Sequence, residues 1–263
     1  MRIDTLNFAA PVGRLALGFL AEIGRTTLFT KDALLVGLAP RYYWGQMAEQ
    51  LFRVGYTSLP VVAMTAFFTG GALALQIYTG SSATTAATLV PSIVAVGITR
   101  ELGPVLAGLM VSGRVGASIA AELGTMKVTE QTDALVTLST NPLKYLVGPR
   151  LVAAVISLPL LVAIGDIIGI MGGYFVGTRS LGFNATAFIK TTSDALHSDD
   201  VTSGLIKAAV FGFIIALMGC YHGFNSKGGA QGVGRATTNA VVSSAILILA
   251  ANFALTSILF GKH

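Results

Sequence analysis

Charged residues are scarce in this sequence. Of its 263 residues, 11% are Asp, Glu, Lys or Arg and 53% are hydrophobic, whereas a soluble domain carries about 25% charged residues. The deficit indicates that lipid is the solvent. A hydrocarbon core about 30 Å thick requires roughly 20 apolar residues per helical span. The sequence therefore predicts an all-α integral membrane protein with one membrane domain and about five spans.

Cysteine and the common catalytic motifs are also lacking. The single Cys220 excludes an intrachain disulfide and a multi-cysteine metal site, and the three histidines show no ligand spacing, so no metal site is expected. The sequence contains no H-E-x-x-H, G-x-S-x-G, P-loop or dinucleotide fingerprint. We therefore expect no catalytic residues and no cofactor. An ATP-driven function would need an ATPase on another chain.

A dense basic tract is missing as well, although the net charge is +5, so a nucleic-acid partner is not expected. The basic residues are instead distributed unequally between the two sides of the predicted spans. One side has Arg2, Arg14, Arg25, Lys31, Arg41, Arg53, Arg114, Lys127, Lys144, Arg150, Lys227 and Arg235; the other has Arg179, Lys190 and Lys262. By the positive-inside tendency, the N-terminus is predicted to be cytoplasmic and the C-terminus to lie outside.

Five apolar runs define the spans, within a membrane domain predicted to cover residues 51–263. They are Val54 to Tyr78, Thr88 to Ser112, Leu151 to Gly177, Leu205 to Phe224 and Ala240 to Phe260. Residues 1–50 are predicted to form a separate region, in which charged residues interrupt an apolar stretch. At 100° per residue, Arg14, Glu22 and Arg25 share one helix face, with Leu15, Phe19 and Ile23 opposite. This pattern predicts an amphipathic helix in the membrane interface; the alternative is a solvent-facing helix packed on the membrane domain.

The segment between the second and third spans is the longest polar stretch. Residues 114–150 include Glu122, Lys127, Glu130 and Asp133 and are too polar to cross a bilayer. They are predicted to form a helical excursion outside the membrane, on the cytoplasmic side.

Four glycines recur at every fourth position of the third predicted span: Gly165, Gly169, Gly173 and Gly177. This spacing places them on one stripe, which lets a neighbouring helix approach closely. The stripe is predicted to pack against another helix of the same chain, and the alternative is a seam between subunits.

Two adjacent charged residues, Arg100 and Glu101, lie near the middle of the second predicted span. A charged side chain there costs about 2.5 to 3.5 kcal/mol on insertion scales. Neighbouring helical residues point about 100° apart, so each is expected to find a different partner or a watery cavity. Pro104 follows, and proline can break a helix beside a cavity. Two interpretations remain: a structural network between spans, or a polar patch in a substrate pathway.

Three further polar residues fall within predicted spans. Asp166 lies in the third span and could pair with Arg100. Lys207 lies near the outer end of the fourth span, where its side chain could extend to the interface. Asn252 lies deep in the last span and could hydrogen-bond to another helix.

Several ordered motifs resemble a known family. Residues 99–104 read T-R-E-L-G-P, residues 112–124 read S-G-R-V-G-A-S-I-A-A-E-L-G, residues 129–150 contain T-E-Q, N-P-L and P-R, and residues 234–238 read G-R-A-T-T. Together they resemble the MlaE family of ABC transporter permeases. These are membrane subunits of systems that move phospholipids between the two membranes of diderm bacteria. The resemblance covers about residues 50–261.

The resemblance implies a multi-pass permease of the bacterial inner membrane that works as a homodimer. Its implied partners are cytoplasmic ATPase subunits that bind the ATP, a periplasmic ring of MCE-domain proteins, a small cytoplasmic accessory subunit, and phospholipid. A permease of the same architecture that carries sterol or another hydrophobic cargo is the alternative. A rival from another class is an intramembrane enzyme that modifies lipid, with Arg100, Glu101 and Asp166 as its site.

The resemblance also assigns two sets of residues. A coupling helix that fits the ATPase is expected within Glu122 to Pro142, with Glu122, Lys127, Glu130, Asp133 and Pro142 as the candidate contacts. A lipid pocket between two permease copies is expected at Arg100, Glu101, Lys207 and Asn252. Asn252 stands where some relatives are expected to have an acidic residue, and Asp166 where an apolar one is expected.

Overall fold

The structure, a computed structural model, describes residues 6–37 and 44–261, and every regular element within them is a helix. The α-helices are α1 (Leu6–Gly37), α2 (Trp44–Val54), α3 (Leu59–Thr79), α4 (Ala83–Gly97), α5 (Gly103–Val111), α6 (Ala117–Val128), α7 (Gln131–Thr137), α8 (Gly148–Arg179), α9 (Ala185–Ala195), α10 (Ser198–Phe224) and α11 (Gly229–Phe260). A 3₁₀ turn, Tyr56–Ser58, joins α2 to α3, and π-helical turns occupy Ile98–Leu102, Ser112–Gly116 and Leu143–Val147.

Five continuous helices in the described residues are long and apolar enough to cross a membrane, which confirms the predicted number of spans. They are Trp44–Thr79, Thr85–Val128, Leu143–Arg179, Ser198–Phe224 and Gly229–Phe260. Each contains one predicted span and extends beyond it. The second, of 44 residues, is about 66 Å long at 1.5 Å per residue and therefore exceeds the thickness of the hydrocarbon core about twofold.

The segment predicted as a polar excursion, residues 114–150, is mostly helical in the structure. Two π-helical turns join α4, α5 and α6 into one helix that ends only at Val128; the short helix α7 follows, and the next long helix begins at Leu143. The helix continues because one face of α6 is apolar: Ile119, Ala120 and Leu123 are buried where α6 packs against α10 and α11. Only the segment between Val128 and Leu143, which contains α7, therefore lies outside the two long helices.

The third span, α8, lies at the centre of the bundle, packed against α3, α10 and α5. Its glycines permit the contact with α3. A Cβ atom on Gly172 would collide with the backbone carbonyl of Phe67, and one on Gly70 with the carbonyl of Gly169. Gly172 lies outside the stripe that the sequence singled out, yet among the glycines of α8 it is the one where an added Cβ would meet the nearest backbone atom.

The predicted glycine stripe is buried within the chain along its whole length. Its members face different neighbours. Gly165 faces Val62 of α3, Gly169 faces Ala66 of α3 and Ile98, Gly173 faces Val94 of α4, and Gly177 faces Phe188 of α9. The stripe thus packs against several elements of this chain instead of one partner helix.

The N-terminal helix α1 docks on α10. The Tyr221 hydroxyl donates a hydrogen bond of 2.6 Å to Glu22 Oε1, the rings of Phe29 and Tyr221 meet edge to face with centroids 5.6 Å apart, and Ala33 is buried. The outer face has the exposed side chains Leu17, Leu20, Leu28 and Leu35. Glu22 therefore faces the protein and the leucines face outward; the side chains of Leu15 and Phe19 lie outside the described residues.

Candidate functional site

Arg100 and Glu101 lie in the π-helical turn Ile98–Leu102, and Pro104 explains why the helix departs from α geometry there. Proline has no N–H, so the carbonyl four residues earlier loses its normal helical donor. That carbonyl belongs to Arg100. In the structure the Lys207 ammonium donates to it at 2.9 Å. A proline in one span thus creates an acceptor that binds a lysine from another.

Glu101 is the centre of a network that joins three spans. Its Oε1 accepts from Lys207 Nζ at 2.7 Å and from Thr256 Oγ1 at 2.9 Å, and its Oε2 accepts from Asn252 Nδ2 at 2.8 Å. Lys207 Nζ also donates to Thr256 Oγ1 at 2.7 Å. The ammonium therefore has three acceptors and the carboxylate three donors, which satisfies both charges inside the bundle.

The sequence allowed the Lys207 side chain to extend to the membrane interface, but in the structure it does not. Its side chain is 0% exposed, because Arg100 O, Glu101 and Thr256 satisfy all three of its donors inside the protein. Glu101 is 40% exposed. The network thus has a buried cation and an accessible carboxylate.

Arg100 pairs with Asp200 near the start of α10, so the suggested pairing with Asp166 is wrong. The guanidinium also lies over the Phe260 ring, 4.5 Å from its centroid. Asp200 is fully buried and accepts a 3.0 Å hydrogen bond from the His197 backbone N–H as well. A cleft of about 660 Å³ opens beside this pair, lined by Arg100, His197, Asp199, Asp200, Thr202, Ser203, Ile206, Leu259 and Phe260.

Asp166 lies apart from this network. It is buried, and its Oδ1 has no hydrogen-bond partner among the residues that the structure describes. The carboxylate packs over Gly103, where a Cβ atom would collide with it. It therefore approaches the second span just after the π-helical turn, and no ion pair to it occurs in the described part of the chain.

The structure adds two residues that sequence reasoning missed, Asp200 and Thr256. Asp200 is three residues after His197 at the start of a helix, a spacing typical of a capping box. Thr256 is four residues after Asn252, so both lie on one face of α11. These local signals indicate a cap and a polar face, but neither indicates contact with Arg100 or Glu101.

The candidate coupling residues separate into two groups. Glu122 binds within the chain: its Oε1 is 3.0 Å from Arg150 Nη2 and its Oε2 is 3.7 Å from Arg53 Nη1. Lys127 and Asp133 form an ion pair of 2.9 Å between α6 and α7. They line a groove of about 560 Å³ together with Thr132, Val136, Ser139, Thr140, Asn141, Pro142, Leu143 and Phe224.

Glu130 lies in the turn between α6 and α7, with φ of 60°, and is exposed. It is thus on the surface near the Lys127–Asp133 pair. In the described parts of the chain, no group of three His, Cys, Asp or Glu residues is placed to hold a metal ion.

Comparison with known proteins is consistent with this architecture. The family model for Permease MlaE matches residues 47–258. A probable ABC transporter permease protein of Rickettsia felis is 55% identical over 255 residues, covering 97% of this chain and 98% of the relative. The intermembrane phospholipid transport system permease protein MlaE of Haemophilus influenzae is 32% identical over 257 residues, with the same coverage. This multi-pass membrane protein belongs to the MlaE permease family and is an ABC transporter permease.

Proposed function

We propose that this permease moves phospholipid, and that the network around Glu101 and Arg100 receives the headgroup. The observation that carries the proposal is the Glu101–Lys207 pair, whose carboxylate remains 40% exposed in the interior of apolar spans. Charges in such spans are costly and are typical of substrate pathways. The relative in Haemophilus influenzae is named for intermembrane phospholipid transport, which supports the same cargo.

The chemistry of the site suits a two-chain lipid with a phosphate. Arg100 is 38% exposed and borders the cleft of about 660 Å³, and a guanidinium is well suited to bind phosphate. Leu259, Phe260 and Ile206 line the same cleft and provide an apolar surface for acyl chains. The cleft thus combines a polar wall, which suits a headgroup, with an apolar one, although it is more polar than a typical small-molecule pocket.

The energy source is proposed to be an ATPase on a separate chain that docks at the groove between α6 and α7. Binding of ATP to that partner would favour one of two permease conformations. We further propose that two permease copies face each other across the lipid site, with the N-terminus and α7 cytoplasmic and the C-terminus periplasmic. A periplasmic MCE-domain ring and a small cytoplasmic accessory subunit complete the proposed assembly, and no cofactor is proposed for this chain.

Native mass spectrometry of lipid that co-purifies with the permease tests the cargo. We expect bound phospholipid, with occupancy reduced by the double variant Arg100→Gln/Lys207→Met. The control is Arg179→Gln, which removes a charge from the exposed end of α8. Sterol or another uncharged lipid in place of phospholipid would overturn the proposal. So would turnover of labelled phospholipid by the isolated chain, because it would indicate an enzyme.

A further inference from the structure

A second polar cavity, of about 220 Å³, lies near the opposite end of the second span from the Arg100 cleft. It is lined by Gln50, Arg53, Val54, Thr57, Arg114, Val115, Ser118, Ile119 and Glu122. None of these residues contributes to the network around Glu101. Arg114 follows Arg100 by 14 residues, which corresponds to about 20 Å along a helix. The two cavities are therefore distinct sites at different depths.

Two polar helix faces form the walls of this cavity. On one side, Gln50, Arg53 and Thr57 follow at intervals of three and four residues, along α2 and the 3₁₀ turn after it. On the other, a second set follows at intervals of four residues along the π-helical turn and α6: Arg114, Ser118 and Glu122. Such spacings place side chains on one helix face. Both polar faces thus meet across a space that the protein leaves unfilled.

The charges in the cavity leave one cation without an acidic partner. The two oxygens of Glu122 are engaged by Arg150 and Arg53, and Arg53 also pairs with Glu49 at 2.7 Å. Within residues 6–37 and 44–261, no carboxylate lies within 4.0 Å of the Arg114 guanidinium. In the same residues, the one hydrogen bond from Arg114 is that of Nη1 to the neutral hydroxyl of Ser58, at 3.1 Å. Its positive charge remains available for an anion.

The sequence places the cavity near the depth at which lipid headgroups are expected. The apolar run of the first span begins at Val54 and that of the second ends at Ser112, so the cavity is at the boundary of the hydrocarbon core. Phe52 and Tyr56, the chain neighbours of the lining residues Arg53 and Thr57, stack with centroids 4.9 Å apart and are exposed, as is typical of aromatic residues at a membrane interface. Basic pockets between membrane helices at this depth bind anionic headgroups.

We propose that this cavity binds the phosphate of a bilayer phospholipid, at a site separate from the transport cleft. The Arg114 guanidinium and the Ser118 hydroxyl donate to the phosphate oxygens, and the acyl chains lie along the exposed apolar surface beside Phe52 and Tyr56. The site holds a lipid of the leaflet that faces α6 and α7, whichever cargo occupies the Arg100 cleft.

Native mass spectrometry of the purified permease, titrated with phosphatidylglycerol, tests this assignment. We expect Arg114→Gln to weaken binding of one phosphatidylglycerol about tenfold, the effect of losing a charge-assisted hydrogen bond. Arg114→Lys should retain most of the affinity. The matched control is Arg235→Gln, which removes an exposed guanidinium that has only a 3.3 Å hydrogen bond to Gln231. Equal binding by the Arg114→Gln and Arg235→Gln variants would overturn the proposal.

A second variant keeps the test valid if Arg114→Gln fails to fold. Ser118→Leu leaves every charge in place and fills the cavity from its exposed wall, so it should also remove one bound phosphatidylglycerol.

Diacylglycerol, which lacks the phosphate, should bind equally to all variants. Inorganic phosphate should not displace the lipid at millimolar concentration; complete displacement would identify a free-anion site and overturn the assignment to lipid. A photoactivatable phosphatidylglycerol should label α2 or α6, and labelling confined to α10 and α11 would contradict it.

Discussion

Lys207 Nζ lies 2.7 Å from Glu101 Oε1, but the two side chains differ in exposure: 0% for the lysine and 40% for the glutamate. This difference in exposure determines which of the two residues is left in the more costly state when the other is replaced. Without Lys207, the Glu101 carboxylate keeps its hydrogen bonds to Asn252 and Thr256 and its contact with solvent or lipid headgroups. Without Glu101, the ammonium stays fully buried with only neutral oxygens as partners, which is the more costly state.

Glu101→Gln should therefore destabilise the permease more than Lys207→Met. Loss of one partner of a buried pair typically costs 3–5 kcal/mol, and because Glu101 is partly exposed we expect about 2 kcal/mol for Glu101→Gln. The single Cys220 is fully buried, so a thiol-reactive dye reports unfolding directly during a thermal ramp in detergent.

The double variant Glu101→Gln/Lys207→Met serves as the control for this comparison. It removes the buried charge together with its partner, so its melting temperature should exceed that of Glu101→Gln alone. A double variant that is less stable than both single variants would contradict the asymmetry.

The sequence was sufficient for the spans and for the position of the charged pair, because both follow from hydropathy along the chain. It was not sufficient to identify the residues that bind the charged pair. Arg100 binds Asp200, one hundred residues away, and that contact depends on how α10 is rotated against the π-helical turn. The acceptor at Arg100 O follows from Pro104, but the lysine that binds it could not be identified without the packing of the two spans.

Gly172→Ala should destabilise the bundle more than Gly165→Ala. A methyl group on Gly172 would meet the rigid backbone carbonyl of Phe67 at 2.1 Å, whereas one on Gly165 would meet a Val62 methyl group at 3.2 Å, which has to shift by only a few tenths of an ångström. We expect a loss of about 1–3 kcal/mol for Gly172→Ala, the usual cost of overpacking, and less for Gly165→Ala. The dye-based melting assay measures both. Equal losses would show that the four-residue stripe, and not the backbone contact, determines the packing.

The two groups of candidate coupling residues should respond differently to substitution. Glu122 holds the buried Arg150 at 3.0 Å, so Glu122→Gln should lower the melting temperature of the permease itself. Asp133 is 61% exposed, and an exposed ion pair contributes about 0–1 kcal/mol. Asp133→Lys should therefore leave the melting temperature nearly unchanged while it reduces recovery of the co-expressed ATPase in a pull-down.

Glu130→Lys provides a second surface variant for the same experiment, since Glu130 is exposed in the adjacent turn. It should also weaken the complex. Full recovery of the ATPase with both Asp133→Lys and Glu130→Lys would exclude this groove as the docking site.

Asp166 and Asp200 form a natural matched pair, because both are buried aspartates but only Asp200 has a cationic partner. Asparagine keeps the shape of the side chain and removes its capacity for charge. Asp200→Asn breaks the ion pair with Arg100 and should cost about 1.5–3 kcal/mol, the range for a hydrogen bond to a charged group. Asp166→Asn removes the capacity for charge from a buried side chain whose Oδ1 has no partner in the described chain, so it should leave stability unchanged or raise it. Melting curves of the two variants in nanodiscs measure the difference, and an equal loss in both would contradict the absence of a stabilising partner for Asp166 in the permease.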